Sequence, residues 1–547
     1  MARKLHLVRG MAVIAVISLA AAACGRPAGS SGNAGNVSPV NGLVSITRAG
    51  TSKVSSVTWA VYRDVNSLDP IYAFDYPENT ADSLMCESLL KQAPDGSVVP
   101  GLATLSYRSP TRLVLTIRPG VTFWDGHAVT PADVVYSLGR DMNIKLGGFY
   151  AVIFNRVRSI AATGPRQVTI TLTQPDYWLP GQLASIGGIV IEKSYAQRQG
   201  RNYGTPAGGI MCTGAYMLKS WKPGVGVLAV ANPHYWNPAV HPLVQQILIK
   251  GVPDVAAFTA AMLTGAIQGS YSYGLSTLDQ LKSSSTVRVY EGPGWSTDAF
   301  VVSSLKGVLG DVRVRRALSM ALNRQAIISS VYKGAALMPR WLSNPGTFAY
   351  AKAVFTSAYN SSPVLTQNIA AARKLVRAAG AVGKTLTIGT SSELTDIAAV
   401  TGAYQAAAQA IGLKVRLDSV SAQNYIDFFI DPKARVGVDG FMSINYGDWA
   451  DPVAMLRVFD LPGGVENYDN FNDPAITNLL ERERGTANAT HRAMLIAQAE
   501  KLTVQQMPWI PSVQPVTLLL LNKSLTGAVA SFAYMFAPWA DRLGGTG

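Results

Sequence analysis

Apolar residues alternate with polar ones at Leu113, Leu115 and Ile117, and again at Val168, Ile170 and Leu172, each run bounded by Gly or Pro. A period of two predicts half-buried antiparallel strands, and Val57 to Tyr62 reads the same way. A loop through Pro70 and Pro77 then leads to a helix expected around Thr80 to Leu90. A clearer helix start lies at Thr130, where a capping hydroxyl, Pro131 in the first turn and Asp133 three residues after the cap predict a helix from Pro131 to about Arg140. Further on the period changes to that of a helix. Asp311 precedes the stripe Val314, Ala317, Leu318, Ala321 and Leu322, and Ile369, Ala372, Leu375, Val376 and Ala379 form another that stops at Gly380. A strand at Thr385 to Gly389, a helix at Thr395 to Ile411 and a strand at Lys414 to Leu417 follow in βαβ order. No internal repeat is visible.

The N-terminus carries a different pattern. Arg3, Lys4 and Arg9 lead into an apolar run from Met11 to Ala23, which as a helix would reach roughly 20 Å, short of a ~30 Å hydrocarbon core. A basic start, a short apolar centre and small residues at the end fit a cleaved secretory signal. Leu19-Ala20-Ala21-Ala22-Ala23-Cys24 resembles the lipobox of bacterial lipoproteins, with Ala21 where leucine is usual. That resemblance implies acylation of Cys24 and anchoring on the outer face of the cytoplasmic membrane, since two or more acyl chains hold where one does not. Gly25 to Thr51, rich in Gly, Ser, Asn and Pro, reads as a flexible tether.

What remains is long enough for two or three domains. Hydrophobic residues make up 48% and charged ones 15%, well below the roughly 25% charge of an average soluble domain, so large cores are expected. The longest late apolar run, Val516 to Leu521, is strand length. The net charge of +14 includes Arg3, Lys4 and Arg9, leaving 14 − 3 = +11 for the mature chain. These basic residues are scattered, without a dense block or interleaved aromatics, and an exported chain meets no cytoplasmic DNA, so nucleic acid is excluded. Besides Cys24 there are two cysteines, Cys86 and Cys212. An even pair in an oxidising compartment reads as one disulfide, contributing roughly 4 to 5 kcal/mol in the chain-entropy model; two separate buried thiols are the alternative.

Catalysis has no visible home. Ser303-Ser304-Leu305-Lys306 matches S-x-x-K, yet neither S-D-N nor K-T-G follows. The five histidines, His6, His127, His234, His241 and His491, show no metal-ligand spacing, so no metal is expected and no cofactor is implied. Gly224-Val225-Gly226 lacks the strand-then-helix context of a phosphate loop.

Several blocks in order carry a resemblance. Ser67-Leu68-Asp69-Pro70 is followed by Glu87-Ser88-Leu89-Leu90, Asp95-Gly96, Pro100-Gly101-Leu102-Ala103, Ile117 to Gly126 (IRPGVTFWDG) and Thr130 to Ser137 (TPADVVYS). Later come Cys212-Thr213-Gly214-Ala215-Tyr216, Lys219-Ser220-Trp221 and Asn232-Pro233-His234-Tyr235-Trp236. Val312 to Leu318 with Asn323-Arg324, and Ala372 to Leu375 with Ala379-Gly380, complete the series. From about Val57 to the C-terminus the chain resembles the extracytoplasmic solute-binding proteins of peptide-type ABC importers. The resemblance implies an α/β, two-lobed periplasmic-binding-protein-like fold of class II type, with a hinge and an inserted subdomain. On that pattern, 1–23 is the signal peptide and 24–51 the lipid-anchored tether. Lobe I combines 52–80, 182–292 and 517–547, the inserted subdomain is 81–181, and lobe II is 293–516. The implied partners are a peptide ligand and the transmembrane subunits of an ABC permease, and a monomer is expected.

A receptor for many peptides has to hold what all peptides share, and an ammonium sealed between lobes needs a carboxylate. The family's aspartate lies four residues before a proline, which in Tyr446-Gly447-Asp448-Trp449-Ala450-Asp451-Pro452 is Asp448, with Asp451 competing. Asn445, Tyr446, Gly447 and Trp449 are expected to line the pocket; the family often has Trp in place of Asn445. Phe74, Asp75 and Tyr76 are expected to lend backbone groups from the first lobe. Trp124 and Asp125 read as structural. No basic group for a ligand carboxylate is identifiable: Arg340, Lys433 and Arg435 are candidates no better than surface charges. Two alternatives share the fold: a carrier of haem, a nickel chelate, a sugar or an opine, and an envelope regulator or sensor, which an exposed Asp448 or a cleft filled by side chains would favour.

Overall fold

The computed structural model describes residues 42–547. The expected signal peptide, Cys24 and the tether as far as residue 41 lie outside the described residues. Lobe I is organised by a seven-stranded sheet in the spatial order Val287–Gly292, Thr517–Asn522, Gly269–Tyr271, Val57–Val61, Gln246–Gly251, Gly226–Ala231 and Tyr216–Lys222. Val57–Val61 pairs in parallel with Gln246–Gly251 on one side and Gly269–Tyr271 on the other, and the outer pairs are antiparallel. In Thr517–Asn522 the apolar run is buried on both faces: Leu519 and Leu521 enter one core, Leu518 and Leu520 another. Period-two geometry turns four consecutive leucines into the shared wall of two cores.

Lobe II has a six-stranded sheet in the order Ala336–Leu337, Trp509–Pro515, Ser296–Val302, Gly440–Tyr446, Thr385–Thr390 and Lys414–Ser419. The last two strands are parallel, with helix Thr395–Ala410 between them in sequence, as their pattern predicts. The chain passes between the two sheets at Pro293–Trp295 and again at Pro515–Val516. Asn344 Nδ2 bridges these crossovers, donating to Ser296 O and Pro515 O, both at 2.9 Å. Gly294 is required here because a Cβ would lie 2.1 Å from Pro515 O.

A four-stranded antiparallel sheet, Ala103–Ser109, Arg112–Ile117, Gln167–Leu172 and Val157–Gly164, forms a separate layer. Helix Pro131–Asp141 belongs to it and starts as its sequence predicts: Thr130 N donates to Asp133 Oδ2 at 2.9 Å. The motif blocks around it are structural. Cys86 is joined to Cys212, with Cα atoms 5.0 Å apart. Next to the disulfide, Glu87 accepts from Thr213 Oγ1 (2.8 Å), Tyr235 OH (2.7 Å) and Trp236 Nε1 (2.7 Å). Trp124 Nε1 donates to Gly214 O at 3.2 Å.

Two expectations are corrected. The helix placed around Thr80 to Leu90 runs over Tyr76–Met85. Asp75 caps it, accepting from Tyr76 N at 2.7 Å, and Pro77 fits its first turn; it ends where Cys86 turns extended to reach Cys212. The tether assigned to 24–51 is not free over its last residues. Val44 N donates to Glu291 O (2.8 Å), Thr47 Oγ1 to Ala528 O (3.0 Å) and Gly50 N to Arg542 O (2.9 Å). Small polar residues without periodicity read as linker, but their polar groups are satisfied by Glu291 and by a C-terminal segment nearly 500 positions away.

Candidate functional site

Strand Gly440–Tyr446 delivers a loop, Gly447 to Asp451, to the junction between the lobes, and helix Pro452–Phe459 leaves from it. Asp451 is the helix cap, accepting from Val453 N at 3.1 Å, and burial pushes its carboxyl up to about 6. Gly447 lies tight on that helix, where a Cβ would come within 2.8 Å of Ala454 Cβ.

Asp448 is 5% exposed. Its Oδ2 accepts from Arg457 Nη2, a residue of the same helix, whose guanidinium also lies 4.9 Å from the centre of a Trp449 ring. Burial raises the Asp448 carboxyl while Arg457 pulls it down; burial lowers the Arg457 guanidinium while Asp448 supports it. Asn445 Nδ2 donates to Glu466, whose carboxyl desolvation pushes up to about 7. The group thus holds two carboxyls and one guanidinium, and carries one negative charge in excess once Glu466 ionises.

Lobe I meets this loop directly. Gln92 donates through Nε2 to Asp448 O (2.9 Å) and accepts at Oε1 from Ala450 N (3.0 Å). Tyr446 OH donates to Phe74 O at 2.8 Å and its ring meets Tyr76 edge-on at 5.2 Å. Asp75 is held by Arg63 Nη2 at 2.6 Å and by Tyr62 OH. Trp449 packs flat on the inserted layer at Gly181, where a Cβ would lie 2.5 Å from its Cγ. Farther out, Arg484 Nη2 reaches Asp176 at 2.5 Å, Trp178 Nε1 reaches Glu483 at 2.5 Å, and Arg156 pairs with Glu481. The lobes are closed on each other, with Tyr446, Trp449 and Gln92 filling space at the junction.

Phe74, Asp75, Tyr76, Tyr446, Gly447, Asp448 and Trp449 therefore come to one junction, while Asn445 is turned to Glu466. Arg340, Lys433 and Arg435 do not join them. Arg340 donates to the Ser362 carbonyl, Lys433 is exposed, and Arg435 stacks on Tyr468 at 4.3 Å and donates to Phe428 O at 2.7 Å. Sequence reasoning missed Arg457, Gln92 and Gly181. Arg457 had a signal: it lies on the helix that Asp451 and Pro452 announce, one and a half turns in. Ser303 of the S-x-x-K match donates to Val438 O at 2.6 Å and is buried away from Lys306, which is exposed.

Buried acids give the chain a pH response. Burial pushes Asp298, Glu466 and Glu500 each up to about 7, above unfolded values of about 4. Between those values the folded chain binds more protons than the unfolded one, so the stability these groups contribute is complete below about pH 4 and is lost as pH rises through about 7. Each contributes up to about 1.4 kcal/mol per pH unit in that window. Scanning calorimetry is expected to give a higher unfolding midpoint at pH 5 than at pH 8; the reverse order would show that these acids are ionised in the native chain.

Two lobes, each built on its own sheet and closed on each other at a junction, make the fold that of a solute-binding protein. The model of the bacterial extracellular solute-binding proteins, family 5 Middle, matches residues 97–467, and the chain belongs to that family, whose members bind substrates and are not enzymes. It is similar to the periplasmic murein peptide-binding protein MppA of Escherichia coli K12, 26% identical over 487 residues covering 84% of this chain and 88% of that protein. Its fold matches DppA from Helicobacter pylori in complex with the peptide STSA (TM-score 0.78, 18% identity, 91% of this chain and 99% of that one). AgaA of A. tumefaciens R10 in complex with agropinic acid also matches (TM-score 0.78, 17% identity, 90% and 99%). Among the described residues no helix is long and apolar enough to cross a membrane.

Proposed function

We propose that this chain captures peptides by their free amino terminus between its lobes and delivers them to an ABC permease. The observation that carries this reading is the buried Asp448 carboxylate at the meeting of Tyr446, Trp449 and the Phe74–Tyr76 loop. The excess negative charge of Asp448, Glu466 and Arg457 suits one ligand ammonium. Asp448 engages Arg457 through Oδ2 alone, so Oδ1 is the acceptor offered to the ammonium. Loading requires the lobes to part, because Gln92, Tyr446 and Trp449 bridge them at the loop that carries Asp448. The similarity to MppA supports a peptide as the ligand. The test is calorimetry with matched free-amine and N-acetylated peptides: acetylation is expected to abolish measurable binding, and equal affinities would remove the ammonium from the account.

Arg457 favours a second reading within transport, a compact zwitterion such as an opine, whose carboxylate would take the guanidinium as its amine takes Asp448. The junction filled by Trp449 and Gln92 is what a non-transporting sensor would show; ligand binding to the purified chain separates the two.

The same proposal places the protein as a monomer on the outer face of the cytoplasmic membrane, held by acylated Cys24. Cys24→Ser is expected to move it from the membrane fraction to the medium. Retention of the variant on membranes would contradict the anchor.

A further inference from the structure

Outside the junction, three polar side chains converge on the surface of the inserted layer. Asp125 and His127 lie on a tight turn in which Phe123 N donates to His127 O at 2.8 Å and Gly126 takes φ +90°. Glu192 comes from the segment that enters helix Lys193–Gln199. His127 Nδ1 is 2.9 Å from Asp125 Oδ2 and 3.7 Å from Glu192 Oε1, and one ligand atom from each of the three residues lies within 4.8 Å of the others.

An exposed His–Asp pair is common and explains itself. Glu192 does not belong to such a pair. It is 4% exposed; Oε1, which also accepts from Ser194 Oγ, is the oxygen near His127, and Oε2 is buried with no hydrogen-bond partner. A buried carboxylate oxygen beside a second carboxylate calls for a cation. We propose that Asp125, His127 and Glu192 form a binding site for a divalent transition-metal ion of the zinc class.

The geometry fits that ion. Zinc held at about 2.1 Å by imidazole nitrogen and carboxylate oxygens in a tetrahedron separates its ligands by about 3.4 Å, and the 2.9 and 3.7 Å separations from His127 Nδ1 bracket that value. One imidazole and two carboxylates select zinc or a neighbouring transition metal over the all-oxygen shells of calcium and magnesium. The ligands are braced from behind: His127 N donates to Asp125 Oδ1 at 3.1 Å, and Ser194 Oγ donates to Glu192 Oε1. Arg198, whose charge also reaches His127, is drawn aside to Ser194 Oγ at 3.1 Å. Three protein ligands leave a fourth position for water. The bound ion would tie the Trp124–Ala128 turn to the start of helix Lys193–Gln199. Spacing along the sequence hides the group because Glu192 is remote from the other two.

The experiment is a Zn2+ titration of the full-length protein by calorimetry, with His127→Ala and Glu192→Gln as variants and Mg2+ as a control cation. One ion per chain is expected, with affinity reduced at least tenfold in each variant and no heat from Mg2+. His127 is exposed, so that variant keeps its fold if Glu192→Gln does not. Absence of Zn2+ binding, or binding of equal affinity in His127→Ala, would overturn the site.

Discussion

Asp448→Ala is expected to weaken a free-amine peptide by about 2 to 5 kcal/mol, the scale for truncating one partner of a buried charge pair. At about 1.4 kcal/mol per decade this is roughly thirty-fold to several-thousand-fold. The same variant strands a second charge. Arg457 is buried, 6% exposed, and paired with Asp448, and removing one member of such a pair destabilises by about 3 to 5 kcal/mol because the other is left buried and alone. Adding Arg457→Met separates the effects. The double variant should regain most of the lost stability, with its methylenes still against Trp449, and should remain unable to hold the amine. Calorimetry for affinity and urea unfolding for stability check both halves. Undiminished binding of a free-amine peptide by Asp448→Ala would defeat the assignment, whatever happened to stability.

Replacing Cys86 and Cys212 together by Ala is expected to cost about 2 to 5 kcal/mol, near the upper end because the closed loop is long. The sequence separation is 126 residues. The loss should reach beyond the two sulfurs: the bond fixes the end of helix Tyr76–Met85, and Glu87 beside it depends on Thr213, Tyr235 and Trp236 from the other strand of the link. Burial already raises the Glu87 carboxyl, so loosening its three donors exposes an expensive charge. Urea unfolding under oxidising and reducing conditions measures the effect. Equal midpoints for wild type and variant would show that the link contributes nothing.

Much of this architecture was legible because local chemistry and global fold agree. The alternation at Leu113, Leu115 and Ile117 gives Arg112–Ile117, and Thr130, Pro131 and Asp133 fix the start of their helix to the residue. What stayed hidden depends on long-range contact. Nothing local in Val44 to Thr51 announces backbone partners at Ala528 and Arg542, and nothing around Gly181 announces the Trp449 ring. For the site, the segment Tyr446 to Pro452 could be placed by resemblance, but the engagement of Asp448 by Arg457 is a matter of side-chain direction on a helix whose register only packing decides.

The strand Thr517–Asn522 lies inside the lobe I sheet, between Gly269–Tyr271 and Val287–Gly292. Until the ribosome has synthesised this strand, which follows every strand of lobe II in the sequence, that sheet lacks an inner member and two hydrophobic cores lack a common partition. A nascent chain of this design cannot close its first lobe before the strands of its second have been made.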